Sequence, residues 1–131
     1  MIGKKTLATL AIGAACLAAS AQAQEATGTI IFYRPGTVMG AAVACPIRYQ
    51  DKEILELARG KYAEWHVPAG QYHFANKVDG VDVTVEAGKT YYVRCTVKVG
   101  LLAGRSNLEV VDGSGFRGRE ADFEKREIVT P

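Results

Sequence analysis

The chain has two histidines, His66 and His73, whose spacing could support metal chemistry. If Ala69-Gly70 is a two-residue turn, the flanking segments form a hairpin in which His66 lies opposite His73. Two facing imidazoles can hold zinc or copper, and Glu64 could assist. A closed zinc site needs four ligands, however, and two solvent-facing histidines on a sheet surface explain the pattern more simply. We therefore predict no metal centre and no cofactor, with His66 and His73 as weak metal candidates.

Other catalytic patterns are weaker still. Gly113 to Gly118 fits G-x-G-x-x-G, but too little chain follows for the helix, strand and acidic residue of a dinucleotide site, so a flexible glycine-rich loop is the better interpretation. No G-x-S-x-G nucleophile motif occurs. The carboxylates are scattered and are explained by a solvated face. We predict no catalytic residues.

Three cysteines occur, and Cys45 and Cys95 belong to the segment after position 23. Both fall on the apolar face of an alternating run, so two facing sheets could bring their sulfurs together. An even pair in an exported protein is typical of a disulfide, although two separate buried thiols are the alternative. No C-x-x-C accompanies them, which favours a structural bond over a redox-active one.

The first 23 residues have the three parts of a secretory signal peptide. Lys4 and Lys5 precede an uncharged apolar run from Leu7 to Ala19, and Ala21-Gln22-Ala23 is a small-x-small cleavage site. We expect cleavage between Ala23 and Gln24. The apolar run is short for a membrane anchor. Lipid attachment at Cys16 is disfavoured because Gly13 stands where a branched apolar residue is usual. The prediction is a periplasmic or secreted protein without a transmembrane span.

The segment from Gln24 to Pro131 is long enough for one domain with its own core. The whole chain has 16 basic and 14 acidic residues, and removal of Lys4 and Lys5 leaves 14 of each. A near-neutral balance without long blocks of one sign argues against a nucleic-acid partner. The oligomeric state is not determined by the composition.

Hydrophobic residues recur with a period of two, which predicts strands. We expect about seven or eight strands, followed from about residue 113 by a charged C-terminal tail or a short helix. The predicted strands are 29–33, 41–49 with an irregularity at Pro46, 53–57, 62–67, 71–78, 81–85, 90–99 and 106–111. Short strands without intervening helices favour an all-β fold, an antiparallel two-layer β-sandwich of immunoglobulin- or prealbumin-like type.

Three short motifs carry a family resemblance. They are Gly60-Lys61-Tyr62, the turn Val67-Pro68-Ala69-Gly70-Gln71-Tyr72, and the run Glu86-Ala87-Gly88-Lys89-Thr90-Tyr91-Tyr92-Val93. Together with Tyr33-Arg34-Pro35, they resemble a family of exported bacterial domains catalogued as domain of unknown function 2846, and they are similar to the PEGA-type hairpin of surface-layer modules. The resemblance covers roughly residues 28–111. It implies an envelope β-sandwich without established catalytic residues.

Two function hypotheses follow. The first is a non-enzymatic exported envelope module that binds an unknown partner, which could be a protein, a glycan or a cell-wall component. The alternative is a small metal-binding or hydrolytic periplasmic enzyme that uses His66 and His73. We favour the first, because the residues that support the second have a simpler explanation.

Overall fold

The computed structural model describes residues 26–37, 42–77, 79–99 and 104–130, and in these ranges two sheets pack face to face. The signal region with the Ala23–Gln24 cleavage site lies outside the described residues, as does Ala41. The strands are β1 (Thr27–Tyr33), β2 (Pro46–Tyr49), β3 (Lys52–Glu56), β4 (Lys61–Pro68), β5 (Gly70–Ala75), β6 (Gly80–Val85), β7 (Thr90–Val99), β8 (Gly104–Val111) and β9 (Glu124–Lys125). The predicted all-β sandwich is confirmed.

The five-stranded sheet has the order β8-β7-β1-β4-β9, and the four-stranded sheet has the order β3-β2-β5-β6. Most neighbours are antiparallel, but β1 pairs with β7 and β4 with β9 in parallel. The antiparallel sandwich thus includes two parallel pairings that the sequence pattern did not predict. Each joins strands far apart in the chain, so no tight hairpin turn forces the antiparallel direction there.

The main core lies between the two sheets and is lined by alternate residues of their strands. The buried side chains include Ile30, Phe32, Ile47, Ile54, Leu57, Ala63, Phe74, Val83, Val85 and Val93. Cys45, just before β2, is bonded to Cys95 of β7, and both residues are fully buried. The predicted disulfide is therefore present, and it ties one sheet to the other across the core.

A second apolar cluster lies on the outer face of the five-stranded sheet. It contains the buried residues Ile31, Tyr33, Tyr92 and Phe116. Phe116 belongs to the glycine-rich segment after β8, for which the sequence predicts a flexible loop. The structure instead packs this segment on the sheet, with Phe116 only 3% exposed. Further along, where a short helix was considered, the chain forms one 3-10 turn at Glu120–Asp122 and then β9.

Side chains and chain ends close the two lateral openings of the sandwich. On one side, Asn76 donates to the carbonyl of Ser106 at 3.1 Å, and Asp79 accepts the N–H of Leu108 at 3.2 Å. On the other side, the chain after β9 crosses to β3, where the N–H of Val129 donates to the carbonyl of Ile54 at 2.9 Å. In the described part of the chain no helix is long and apolar enough to span a membrane.

Candidate functional site: a groove on the four-stranded sheet

The two histidines do not face each other, so the predicted hairpin between them is wrong. His66 lies in β4 of the five-stranded sheet, whereas His73 lies in β5 of the four-stranded sheet. The chain crosses from one sheet to the other at Ala69, where the sequence predicts a tight turn. Residues of β4 and β5 therefore meet across the core, as Trp65 and Phe74 do at a ring separation of 6.0 Å, and the outward-facing imidazoles point in different directions.

Each histidine instead has its own local partners. His66 Nδ1 lies 3.0 Å from the hydroxyl of Thr29, and its Nε2 lies 3.5 Å from Glu64. His73 Nδ1 lies 2.8 Å from the carboxylate of Asp82 on the neighbouring strand. Within the described ranges no group of three or more histidine, cysteine or acidic side chains is gathered in a way that could hold a metal ion. The arrangement positions each imidazole but does not bring the two together.

His73 does line a groove on the outer face of the four-stranded sheet. The groove has a volume of about 540 Å³ and is lined by Arg48, Tyr49, Gln50, Asp51, Gln71, His73, Ala75 and Asn76. Of these residues, only His73 was a candidate site residue on the sequence alone. The three residues between the predicted strands 41–49 and 53–57 were the available signal for a tight turn beside His73.

The groove exists because the β2–β3 hairpin is short. Tyr49 pairs with Lys52, and the two residues between them, Gln50 and Asp51, have φ values of 52° and 64°. Positive φ at both central positions is the geometry of a type I′ turn, which reverses the chain at once. Arg48 donates from its guanidinium to the carbonyl of Asp51 and so braces the turn. The hairpin therefore ends beside the middle of β5.

As a result, β5 is fully paired on one side only. It pairs with β6 at six positions, from Gly70↔Val85 to Ala75↔Gly80, but with β2 only at Arg48↔Ala75. The N–H of Asn76 donates to the carbonyl of Asp79 at 2.9 Å. In an antiparallel ladder, hydrogen-bonded pairs alternate, so this bond directs the backbone groups of Gln71, His73 and Ala75 away from β6. On that side of β5, only Ala75 pairs with another strand, at Arg48 of β2.

The side chains around the groove are polar and of mixed charge. Arg48, Gln71 and His73 are exposed, and Asp51 and Asp82 add carboxylates. Tyr72 on the same strand turns its hydroxyl to the carbonyl of Pro68 at 2.7 Å. Burial, and then the neighbouring Tyr49, raises the pKa of Tyr72 above its ordinary value. The exposed side chains of Arg48, Gln71 and His73 equip the groove to hydrogen-bond a polar ligand.

A second polar cavity, of about 410 Å³, lies between the five-stranded sheet and the segment that covers it. Tyr33 lines it and is 1% exposed. Burial raises the pKa of Tyr33, and the nearby Arg94 guanidinium opposes that rise, yet the two groups do not meet in hydrogen-bond geometry. Arg94 is held by Glu109 at 2.6 Å, an ion pair that raises the pKa of Arg94. No local sequence pattern predicts this cavity, because its lining depends on how the segment after β8 folds back over the sheet.

The family profile described as Protein of unknown function (DUF2846) matches residues 24–113, more than half of the chain. The chain belongs to this family. The groove on the four-stranded sheet lies wholly within the DUF2846 match, whereas Phe116 and the rest of the covering segment lie beyond it. Neither a curated protein nor a solved structure matches this DUF2846 chain.

Proposed function

We propose that this DUF2846 chain is an exported, non-enzymatic module of the cell envelope that binds a protein, a glycan or a cell-wall component in the groove on its four-stranded sheet. The observation that carries the proposal is the groove itself. It combines the exposed side chains of Arg48, Gln71 and His73 with a stretch of β5 that has no neighbouring strand on the side that faces β2. Polar groups placed along a concave surface are what a binding site requires to orient a ligand.

Export is supported by two independent features. The first is the charged, apolar and small-residue pattern that ends at Ala23. The second is the disulfide between Cys45 and Cys95, since such bonds persist in oxidising compartments. Sequencing the N-terminus of protein recovered from the periplasm or medium tests this part. We expect Gln24 first; a chain that begins at a lipidated Cys16, or one that retains Met1, would contradict it.

Binding through the groove can be tested by charge reversal. We expect the segment 24–131, immobilised, to retain an envelope component that the Arg48→Glu variant retains poorly. Arg105→Glu is the matched control, because Arg105 is also exposed but lies on β8 of the other sheet. Melting curves of both variants show whether either change unfolds the domain. Equal retention by Arg48→Glu and wild type would remove the groove from the proposal.

The alternative metal or hydrolytic enzyme needs His66 and His73 to act together, and the two lie on different sheets. We therefore expect protein purified without chelator to carry no stoichiometric zinc or copper by elemental analysis. The double variant His66→Ala with His73→Ala serves as the comparison. One equivalent of metal in the wild-type protein that disappears in this variant would reverse the ranking of the two functions.

A further inference from the structure

The part of β5 that has no partner on its β2 side defines what kind of ligand fits the groove. Because β2 meets β5 only at Ala75, the backbone N–H and C=O groups of Gln71 and His73 point into the groove. Among the described residues, β2 pairs with β5 only at Ala75, and no turn or loop backbone group is hydrogen-bonded to the N–H or C=O groups of Gln71 or His73. They are two donors and two acceptors at the spacing of a β-strand, and the groove lies alongside them.

The flanking features keep this stretch open. The tight turn at Gln50-Asp51 sends β3 away from β5, and the Arg48 contact to the Asp51 carbonyl holds the turn closed. On the opposite side of β5, the six-residue ladder with β6 keeps the strand extended. The open backbone is therefore presented in a strand conformation before any ligand arrives, which lowers the entropic cost of adding another strand.

We propose that an extended segment of a partner protein adds to β5 beside Gln71 and His73, as a strand that occupies the place β2 leaves vacant. Alternating N–H and C=O groups match another extended backbone, whereas the hydroxyls of a glycan have no such fixed alternation. The exposed side chains of Arg48, Gln71 and His73 border the added strand and would select among sequences. This inference rests on the proposed function and names the class of ligand.

The test uses a phage-displayed library of random linear peptides selected against residues 24–131, followed by synthesis of an enriched peptide. We expect that peptide to slow amide hydrogen exchange at both Gln71 and His73 by about tenfold or more, because their N–H groups enter a new ladder. Exchange at Thr84 serves as the internal control. Thr84 lies opposite Gln71, in a pair that is not hydrogen-bonded, so its N–H points away from β5 toward the outer edge of β6. Its exchange rate should therefore stay unchanged.

Two variants separate backbone from side-chain binding. Gln71→Pro removes the N–H that faces the groove without removing a bond to β6, since proline is tolerated where a ladder bond is not needed. Gln71→Thr changes the side chain and keeps the N–H. We expect Gln71→Pro to weaken peptide binding about tenfold or more, and Gln71→Thr, which alters only the contacts of the side chain, to weaken it several-fold less than Gln71→Pro does.

Three results would overturn the inference. One is a bound peptide that leaves the exchange at Gln71 and His73 unchanged. Another is equal weakening by the two variants, which would indicate side-chain recognition. The third is the absence of peptide binding while lysozyme-released peptidoglycan fragments shift the NMR signals of Arg48, Gln71 and His73. That result would leave the proposed function standing with a glycan as the ligand, whereas failure of both probes to bind would contradict the function as well.

Discussion

Gly113 lies where the chain leaves β8 and turns back over the outer face of the five-stranded sheet. Its φ is +87°, and a Cβ at this position would overlap the ring of Tyr92. Gly118 lies five residues on with a similar φ of +79°, yet no atom would lie within 4 Å of a Cβ there. Both glycines thus have the left-handed backbone conformation that disfavours a side chain. Only at Gly113 would an added Cβ also clash with a neighbouring ring.

This pair gives a stability prediction at the residue scale. Gly118→Ala should lower the free energy of unfolding by about 1–2 kcal/mol, the cost of a left-handed conformation in a residue with a Cβ. Gly113→Ala should cost a further ~1–3 kcal/mol, because the added methyl group crowds Tyr92. Urea denaturation of both variants measures the difference. Equal losses would show that the Tyr92 ring moves aside freely.

At the scale of elements, β1 illustrates how the C-terminal segment changes a strand's environment. Ile30 and Phe32 face the main core, and Ile31 and Tyr33 face the second cluster, so four successive residues are buried. Phe116 completes this second cluster, with ring centroids 5.5 Å from Tyr33 and 6.2 Å from Tyr92. The segment after β8 therefore acts as a third, partial layer on the sandwich.

Removing that anchor should therefore be costly. We expect Phe116→Ala to destabilise the fold by about 3–5 kcal/mol, the usual cost of deleting a buried aromatic ring. Arg117→Ala is the comparison. Arg117 is exposed and lies 5.9 Å from the Tyr92 ring, so its loss should cost only ~0.5–1 kcal/mol. Thermal and denaturant unfolding of both variants tests this, and a Phe116→Ala variant as stable as Arg117→Ala would mean that the covering segment contributes little.

At the scale of the whole molecule, the disulfide between Cys45 and Cys95 is the one covalent cross-link, apart from the backbone itself, that joins the two sheets in the described chain. Cys45 and Cys95 are 50 residues apart in sequence and fully buried. The bond therefore closes a long loop of the unfolded chain, which in the chain-entropy account stabilises the folded state by about 4 kcal/mol. Burial also shields both sulfurs from reductants, as expected for a structural bond.

Cys45→Ala combined with Cys95→Ala should consequently lower stability by about 2–5 kcal/mol and leave groove binding intact at low temperature. The groove is lined by neither cysteine, so a loss of binding without unfolding would contradict a purely structural role. Melting curves of the double variant, set against wild type with and without reductant, make the comparison. An unchanged midpoint would show that the bond is incidental to stability.

Part of this architecture was predictable from local pattern. Alternation over Val93 to Val97 placed Cys95 on the buried face, and the same argument placed Cys45 inward, so the disulfide followed. Turn residues such as Pro68 and Asp79-Gly80 marked the ends of strands close to where they lie. The same alternation missed Tyr92, which faces away from the main core yet is 8% exposed, because a distant segment covers that face.

By itself, then, the sequence determined the all-β class, the inward-facing cysteines and the family motifs, since side-chain period and turn chemistry are properties of neighbouring residues. Only the tertiary structure decided which strands are neighbours. It separated His66 from His73 by placing β4 and β5 in different sheets. It also left Gln71, which pairs with β6, without a strand on the side that faces β2. Strand pairing depends on contacts between residues far apart in the chain, and no local period encodes them.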